Sequence, residues 1–202
     1  MNTNRWPYPG ARWWKFDFHT HTPASSDTPW HQLALGLMPE SWLQTYMDAG
    51  VDCVAVTDHN SGAWVDPLKD AYARMKLQAA QGLLEGFREI HIFPGVEVSV
   101  NGGFHLLALF DPSACTRTIS DLLAVVSYSG TEGDSDGVTR KSPTEVVQAI
   151  LSAGGIPIPA HADLAKGLLA VRSGTRECAA DANTVVQVLN TVGLLAMEWV
   201  NL

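Results

Sequence analysis

The sequence predicts an α/β domain built on a largely parallel sheet. Short β-rich runs alternate with helical segments along the chain, which is the pattern of such a domain. Five of the seven histidines stand at or just after the ends of predicted strands, where α/β barrels gather their functional side chains. The chain has 202 residues with no internal repeat and no clear linker, so residues 1–202 are expected to form a single domain.

The boundaries of the early elements follow from helix-capping and strand signals. Pro39 stands at the first position of a helix and Gly50 just past its end, as helix termini favour. Asp66 is expected to cap the next helix, and Pro94-Gly95 to break the third strand. The expected elements are a strand over 14–18, a helix over 39–49, a strand over 53–57, a helix from 67 to about 84, and a strand over 90–93.

The later elements are marked by a turn and by two capping boxes. Asn101-Gly102-Gly103 predicts a tight turn, and the pairs Thr118/Asp121 and Ser142/Glu145 predict helix starts. The polar, glycine-rich segment 129–141 is expected to be a surface loop. The expected elements are strands over 96–100 and 104–110, helices from about 119 and from 143, a strand over 156–160, a helix capped by Asn183, and a last strand over 194–200.

Composition excludes several functional classes. The net charge of −8 argues against nucleic-acid binding through a basic surface, although bound divalent cations could reverse the sign locally and admit a phosphate substrate. No apolar run approaches the length of a membrane span, and the first 17 residues lack the apolar core of a signal peptide. Three widely spaced cysteines form neither a disulfide framework nor a CxxC zinc site, so a cytoplasmic location is expected.

Histidines and carboxylates follow the predicted strands in a pattern typical of metal ligands. In an extended segment His19 and His21 face the same side, and Asp27 follows six residues after His21. Burying Asp58 and His59 at a strand end costs several kcal/mol unless they pair or bind a metal. A structural alternative exists for this second pair, since an Asp–His hydrogen bond would also close the loop.

The remaining candidates extend the same pattern. Glu97 lies between two valines of a strand and would face solvent unless it has a partner, which His105 across the turn can provide. His161 follows a short strand flanked by prolines, whereas His31 and His91 are expected to be ordinary surface or packing residues. Together the clusters predict a divalent-metal site in which a carboxylate bridges two cations.

Five stretches in order, DFHTHTPASSD, VTDHN, PGVEVS, FHLLALF and PAHAD, resemble the polymerase and histidinol phosphatase (PHP) family of metal-dependent phosphoesterases. The later stretch MEWVN is similar to the family's Glu-x-x-Asn strand. The resemblance implies a distorted (β/α)7 TIM-like barrel, the PHP fold, with two or three divalent ions at the strand ends. Zinc, manganese and iron all suit such imidazole–carboxylate sites.

The resemblance also implies a role for each matching residue. His19 and His21 would hold the first ion, and Glu97 would bridge it to a second ion bound by His105 and His161. Asp27 and His59 would hold the third ion. Asp58, His59 and Glu97 would form the catalytic set, with Asp58 supporting the others or assisting proton transfer.

The chain departs from the family pattern near its end. The family's final Asp-x-His motif after the last strand has no match, so the barrel is expected to be truncated at its C-terminal end, as part of a longer chain. The tryptophan-rich opening GARWWKFDFHTHTPASSD looks most like the amino-terminal PHP domain of TrlF-like proteins, which precedes a large ATPase region. The chain itself has no GxxxxGK[ST] phosphate loop.

The reaction implied by the resemblance is hydrolysis of a phosphate ester by metal-activated water. Nucleotides, nucleic-acid ends and small phosphomonoesters all remain candidate substrates, and a fused or associated ATPase is a candidate partner. The alternatives are an amidohydrolase-type enzyme, which attacks a carbonyl, a non-catalytic metal-stabilised module that regulates an ATPase, and a binding domain with structural histidines. The basic residues late in the chain are candidate phosphate ligands: Arg140, Lys141, Lys166 and Arg172.

Overall fold

The structure, a computed structural model, describes residues 13–29, 31–34, 36–170 and 180–201. Five strands and six helices are assigned in this part of the chain. In order they are β1 (Phe16–Thr20), α1 (His31–Ala34), α2 (Pro39–Asp48), β2 (Cys53–Val56), α3 (Val65–Ala80), β3 (His91–Val100), β4 (Phe104–Leu109), α4 (Thr116–Val125), α5 (Pro143–Ser152), β5 (Ile156–Pro159) and α6 (Ala182–Leu189).

The five strands form one curled, half-barrel sheet in the order β1-β2-β3-β4-β5. β1, β2 and β3 are parallel, whereas β4 is antiparallel to both β3 and β5. Four strands therefore run in one direction and β4 alone runs in the other, which confirms the α/β class and a mainly parallel sheet. The arrangement fits part of a TIM-like barrel, and the full (β/α)7 count stays a prediction.

β3 changes partner in the middle, at the point where the sequence predicted a break. His91–Pro94 pairs with β2, and Gly95–Val100 pairs with β4. Proline lacks an N–H for the ladder, but the carbonyl of Pro94 still accepts a hydrogen bond of 2.8 Å from Phe110 N. The predicted break was therefore wrong, and the Pro-Gly pair instead marks a change of partner within one strand that carries Glu97 in its second half.

The first residues of α3 and α4 both lie earlier in the chain than the capping signals predicted, because tertiary hydrogen bonds extend both helices. α3 begins at Val65, so Asp66 lies inside the helix, and its carboxylate accepts from Thr116 N across to α4 (3.1 Å). Thr116 Oγ1 in turn donates to Gly62 O (2.8 Å). α4 therefore starts at Thr116 after Cys115, three residues before the predicted start, whereas the predicted start of α5 at Pro143 is confirmed.

Near the two ends of the chain, the structure differs from the predicted positions of β1 and the cap of α6, and it lacks one predicted strand. β1 lies two residues later than expected, and Asp181 rather than Asn183 caps α6 by accepting from Thr184 N (3.0 Å). The segment 194–200 was predicted to be a strand and is not one. Glu198 nevertheless lies beside β5, because its N–H donates to Pro159 O and its carbonyl accepts from Ala162 N, both at 2.9 Å.

Two apolar clusters hold the helices against the sheet. One packs α2 and α3 on β2, with Leu43, Val54 and Leu68 fully buried, and the other packs α4 and α5 on β3 and β4. These clusters fix the positions of the strand ends from which the site is built. No helix in the described ranges combines the length and the apolar composition that a bilayer crossing requires.

We predict that Gly95→Ala destabilises the fold through the partner change in β3. A Cβ at this position would lie 2.9 Å from Ala108 O and 3.0 Å from both Leu109 Cδ2 and Thr57 Cγ2. Because a backbone oxygen is among these neighbours, the expected loss is about 2–3 kcal/mol in the free energy of unfolding, measured by urea denaturation.

The control for Gly95→Ala is Gly82→Ala. The added Cβ there meets no atom within 4 Å, so only its positive φ of 71° opposes the change, at a cost of about 1 kcal/mol. A loss at Gly95 no larger than the loss at Gly82 would contradict the prediction.

Candidate metal centre

One buried carboxylate lies at the centre of a cleft at an edge of the sheet. Glu97 is only 1% exposed, yet its two oxygens are surrounded by the rings of five histidines. The contacts are Oε1 to His105 Nδ1 (2.6 Å) and His161 Nε2 (2.9 Å), and Oε2 to His19 Nε2 (2.9 Å), His59 Nε2 (2.9 Å) and His21 Nε2 (3.4 Å).

The topology of the sheet explains why these rings meet. His19 lies near the carboxyl end of β1, and His59 and His161 lie three and two residues after the ends of β2 and β5. His105 lies instead at the beginning of β4, and because β4 is antiparallel its first residues reach the same edge. Asn60 N also donates to Glu97 O (2.9 Å), which ties the loop after β2 to β3.

Two groups of side chains within this cluster could each hold a metal ion. One consists of His19, His21 and Glu97, and the other of His59, Glu97 and His105, with one ligand atom per residue and all such atoms within 4.8 Å of one another. Glu97 belongs to both groups. This geometry agrees with a carboxylate shared between two ions. The assignment of the other histidines to a second and a third ion stays a prediction.

The hydrogen bonds around His21 determine which of its ring nitrogens carries the proton. Ser25 Oγ donates its one proton to Asp58 Oδ1 (2.8 Å) and accepts from His59 N (3.0 Å), so His21 Nδ1–H donates to it (3.0 Å). Nε2 of His21 then carries the lone pair, and it lies 3.4 Å from Glu97 Oε2. Two acceptors at this separation are satisfied by a cation between them, so these residues fit a metal ion.

Each of two other histidine rings in the cluster is oriented by a further carboxylate. His19 Nδ1 contacts Glu198 Oε2 at 2.9 Å, and the same oxygen accepts from His161 N at 2.6 Å. His59 Nδ1 is hydrogen-bonded to Asp27 Oδ1. Outer carboxylates of this kind fix the ring orientation of metal-binding histidines and raise their basicity.

Sequence reasoning missed three residues of this outer layer, namely Glu198, Ser25 and Ser135. Glu198 lies in the MEWVN stretch and Ser25 in DFHTHTPASSD, so the family-like stretches contained both without indicating a role. Ser135 lies in the polar loop 129–141, which does lack regular secondary structure over most of its length, and it donates to Asp27 Oδ2 through both N (3.1 Å) and Oγ (2.5 Å).

Asp58 does not contact the histidine cluster directly. Its carboxylate is fully buried and accepts from Thr22 N (2.7 Å), Thr22 Oγ1 (2.7 Å) and Ser25 Oγ. Burial raises the pKa of Asp58, although the hydrogen bonds from Thr22 and Ser25 oppose this. Its link to the cluster therefore runs through Ser25 to His21, and a role in proton transfer stays a prediction.

The surroundings of the histidines in the cluster shift their pKa values in opposite directions. Burial disfavours a charged ring at His19, but hydrogen bonds to Glu198 and Glu97 outweigh burial and raise the pKa of His19 to about 10. Burial lowers the pKa of His21 to about 4 and also lowers that of His105. Burial alone would raise the pKa of Glu97, yet its hydrogen bonds to the surrounding histidines hold that pKa well below the usual range.

The remaining sequence candidates lie in different places. Lys166 lines the cleft, which has a volume of about 270 Å³, together with Asp27 and His161. Lys141 lines a separate groove beside α5, and Arg172 lies outside the described residues. The two histidines expected to be ordinary, His31 and His91, are in α1 and at the start of β3.

We predict that Glu97→Gln removes metal from both groups at once. The amide keeps the shape of the side chain but loses the charge and one acceptor oxygen, so metal affinity should fall by more than roughly 100-fold. Elemental analysis of protein dialysed against manganese measures the loss, with Glu132→Gln in the exposed loop as the control. Equal metal content in the two variants would show that Glu97 is not a ligand.

We also predict that manganese affinity rises with pH. The pKa of His19 in the metal-free protein is about 10, so at neutral pH a proton must leave the ring before it can coordinate. This one proton alone makes the apparent affinity rise about tenfold per pH unit between pH 7 and 9. Calorimetric titration at three pH values measures the slope.

The matched variant for the pH prediction is Glu198→Gln, which removes one of the two carboxylates that raise the pKa of His19. Its slope should be shallower than that of the wild-type protein. A flat pH profile in the wild-type protein would contradict the assignment of His19.

Comparisons with known proteins bear on the fold. No protein-family model and no curated protein sequence matches this chain. A solved protein from Bifidobacterium adolescentis, provisionally described as a metal-dependent phosphoesterase, is similar with a TM-score of 0.52 and 18% identity over 92% of this chain and 77% of that one. An amidohydrolase from Chromobacterium violaceum, solved with bound sulfate and no metal, gives a TM-score of 0.48 and 17% identity over 91% and 76%. The first likeness establishes a shared fold.

Proposed function

We propose that this protein is a metal-dependent hydrolase of phosphate esters. The observation that carries the proposal is the position of Glu97, a buried carboxylate shared by two groups of ring nitrogens that could each hold a divalent ion. The fold shared with the Bifidobacterium adolescentis protein and the order of the PHP-like stretches support phosphate esters as the substrate class.

In this proposal His19, His21 and Glu97 hold one ion, and His59, Glu97 and His105 hold the second. His161 contacts Glu97 and would add a further ring nitrogen, and the family resemblance implies that Asp27 and His59 would hold a third ion. Zinc, manganese and iron suit this mixture of imidazole and carboxylate. When bound, such ions supply Lewis acidity and lower the pKa of water toward neutrality.

The side chains of this protein then hold and orient the reacting groups. In the reaction the oxygen of a water molecule bonds to phosphorus, the bond from phosphorus to the ester oxygen breaks, and the leaving oxygen takes up a proton. Glu198 and Asp27 keep His19 and His59 in fixed orientations, and Ser25 does the same for His21. This rigidity matters because positioning and charge stabilisation supply most of the rate enhancement in phosphoryl transfer.

The experiment is a hydrolysis assay on the manganese-loaded protein. We expect turnover of 4-nitrophenyl phosphate that is lost with a chelator, restored by manganese, and reduced at least roughly 1000-fold by Glu97→Gln. Glu132→Gln should retain full activity.

Two other results would each indicate a different function. Hydrolysis of an amide or a lactone without hydrolysis of any phosphate ester would identify an amidohydrolase-type enzyme. Stoichiometric metal without turnover of either substrate class would leave a metal-stabilised regulatory module.

A further inference from the structure

Lys166 gives the cleft a fixed positive charge close to the histidine cluster. We infer that Lys166 binds a non-bridging oxygen of the substrate phosphate and thereby makes the site prefer phosphomonoesters to phosphodiesters. The inference rests on the proposed function and names the substrate class within it. Among the described residues that line the cleft, Lys166 is the one lysine or arginine.

The contacts of Lys166 place its ammonium group beside a predicted metal ligand. Lys166 Nζ donates to Ser135 Oγ at 2.6 Å, and Ser135 Oγ donates its own proton to Asp27 Oδ2 at 2.5 Å. An ammonium group has three N–H donors, so this contact engages one of them and an anion can accept from the others. Ser135 thus holds the ammonium one hydroxyl group away from Asp27.

The backbone of Lys166 is held between two ring ligands in an uncommon conformation. Its φ is +60°, a left-handed value that costs a non-glycine residue about 1–2 kcal/mol. The carbonyl of Lys166 accepts from His105 N at 2.9 Å, and a Cβ on the next residue, Gly167, would lie 2.2 Å from His161 O. This close packing fixes the base of the lysine side chain at the cleft.

Left-handed backbone at non-glycine residues is concentrated at this site. Of the four such residues in the described ranges, Asn60 (φ +46°), His161 (φ +29°) and Lys166 adjoin or line the cleft, and Ser127 (φ +53°) is the fourth. Strained backbone persists where surrounding structure enforces it, and it clusters at functional sites. A long cationic side chain held in this way is better explained by anion binding than by surface solubility.

The chemistry of the two ester classes explains the preference. A phosphomonoester has three non-bridging oxygens and is a dianion above its second pKa of about 6, whereas a diester has two such oxygens and one charge. Each of the two candidate ion sites would bind one non-bridging oxygen of the phosphate. The third oxygen, which a diester lacks, is then left for the ammonium group of Lys166, and a charge-assisted hydrogen bond to it favours the monoester.

The test uses Lys166→Gly, because glycine accepts φ of +60° without strain and loss of folding is therefore not expected. Lys166→Arg restores the charge, and Lys76→Met, which breaks an exposed ion pair with Glu89, is the control. Calorimetry on the manganese-loaded proteins at pH 8 measures binding of inorganic phosphate and of dimethyl phosphate. Kinetics with 4-nitrophenyl phosphate and bis(4-nitrophenyl) phosphate measure the same preference in turnover.

We expect Lys166→Gly to weaken phosphate binding about tenfold, to leave dimethyl phosphate binding within about twofold, and to lower the monoester-to-diester ratio of kcat/KM about tenfold. Lys166→Arg should recover most of each loss. Phosphate binding within twofold of wild type in Lys166→Gly, or an equal loss for both ligands, overturns the inference. If phosphate binding depends on Lys166 but the wild-type protein hydrolyses neither ester, the anion site stands and the proposed hydrolase is rejected.

Discussion

The site depends on the burial of one negative charge at Glu97. Removing a carboxylate from water costs several kcal/mol unless charged or hydrogen-bonding partners replace the water. Four histidine rings contact the carboxylate at 2.6–2.9 Å and meet that need, whereas the fifth, His21, presents a lone pair rather than a proton. A hydrogen bond therefore does not account for the 3.4 Å separation of Glu97 and His21. A cation shared between the carboxylate and the ring nitrogen would satisfy both acceptors, and the hydrogen bonds from the surrounding loops hold the two groups in this geometry.

The sheet brings these residues together through a single reversed strand. In a fully parallel sheet each strand would contribute only its carboxyl end to the site. Because β4 runs the other way, it contributes its first residues, and His105 reaches Glu97 from the strand directly beside it. The partner change of β3 at Gly95 makes this possible, since the first half of the strand stays with β2 and the second half turns to β4. The two strands and the tight turn that the sequence predicted thus bring His105 beside Glu97.

Prediction from the sequence succeeded where the signal was local. The ends of β2 and β5, each to within one residue, the cap of α5 and the histidines that follow the strands could all be located from neighbouring residues. The starts of α3 and α4 could not, because Asp66 and Thr116 stabilise each other's helices across 50 residues of chain. Glu198 was missed for the same reason, since its contact with His19 joins positions 179 residues apart. Asp58 carried a strong local signal, yet its carboxylate faces Thr22 and Ser25 and reaches the cluster only through Ser25.

The loop 129–141 connects the candidate metal ligands to the inferred substrate-binding residue. Gly133 O accepts from Ser26 N at 2.7 Å, and Gly133 N donates to His59 O at 3.0 Å, so the loop is held against the segments that carry Asp27 and His59. A Cβ at Gly133 would lie 2.1 Å from Ala24 O, which explains why a glycine is needed at this contact. Ser135 follows two residues later and joins Asp27 to Lys166 through one hydroxyl. The inferred contact of Lys166 with a substrate oxygen uses the other N–H donors of the ammonium group, so Ser135 keeps both of its hydrogen bonds to Asp27 and the carboxylate that orients His59 stays in place.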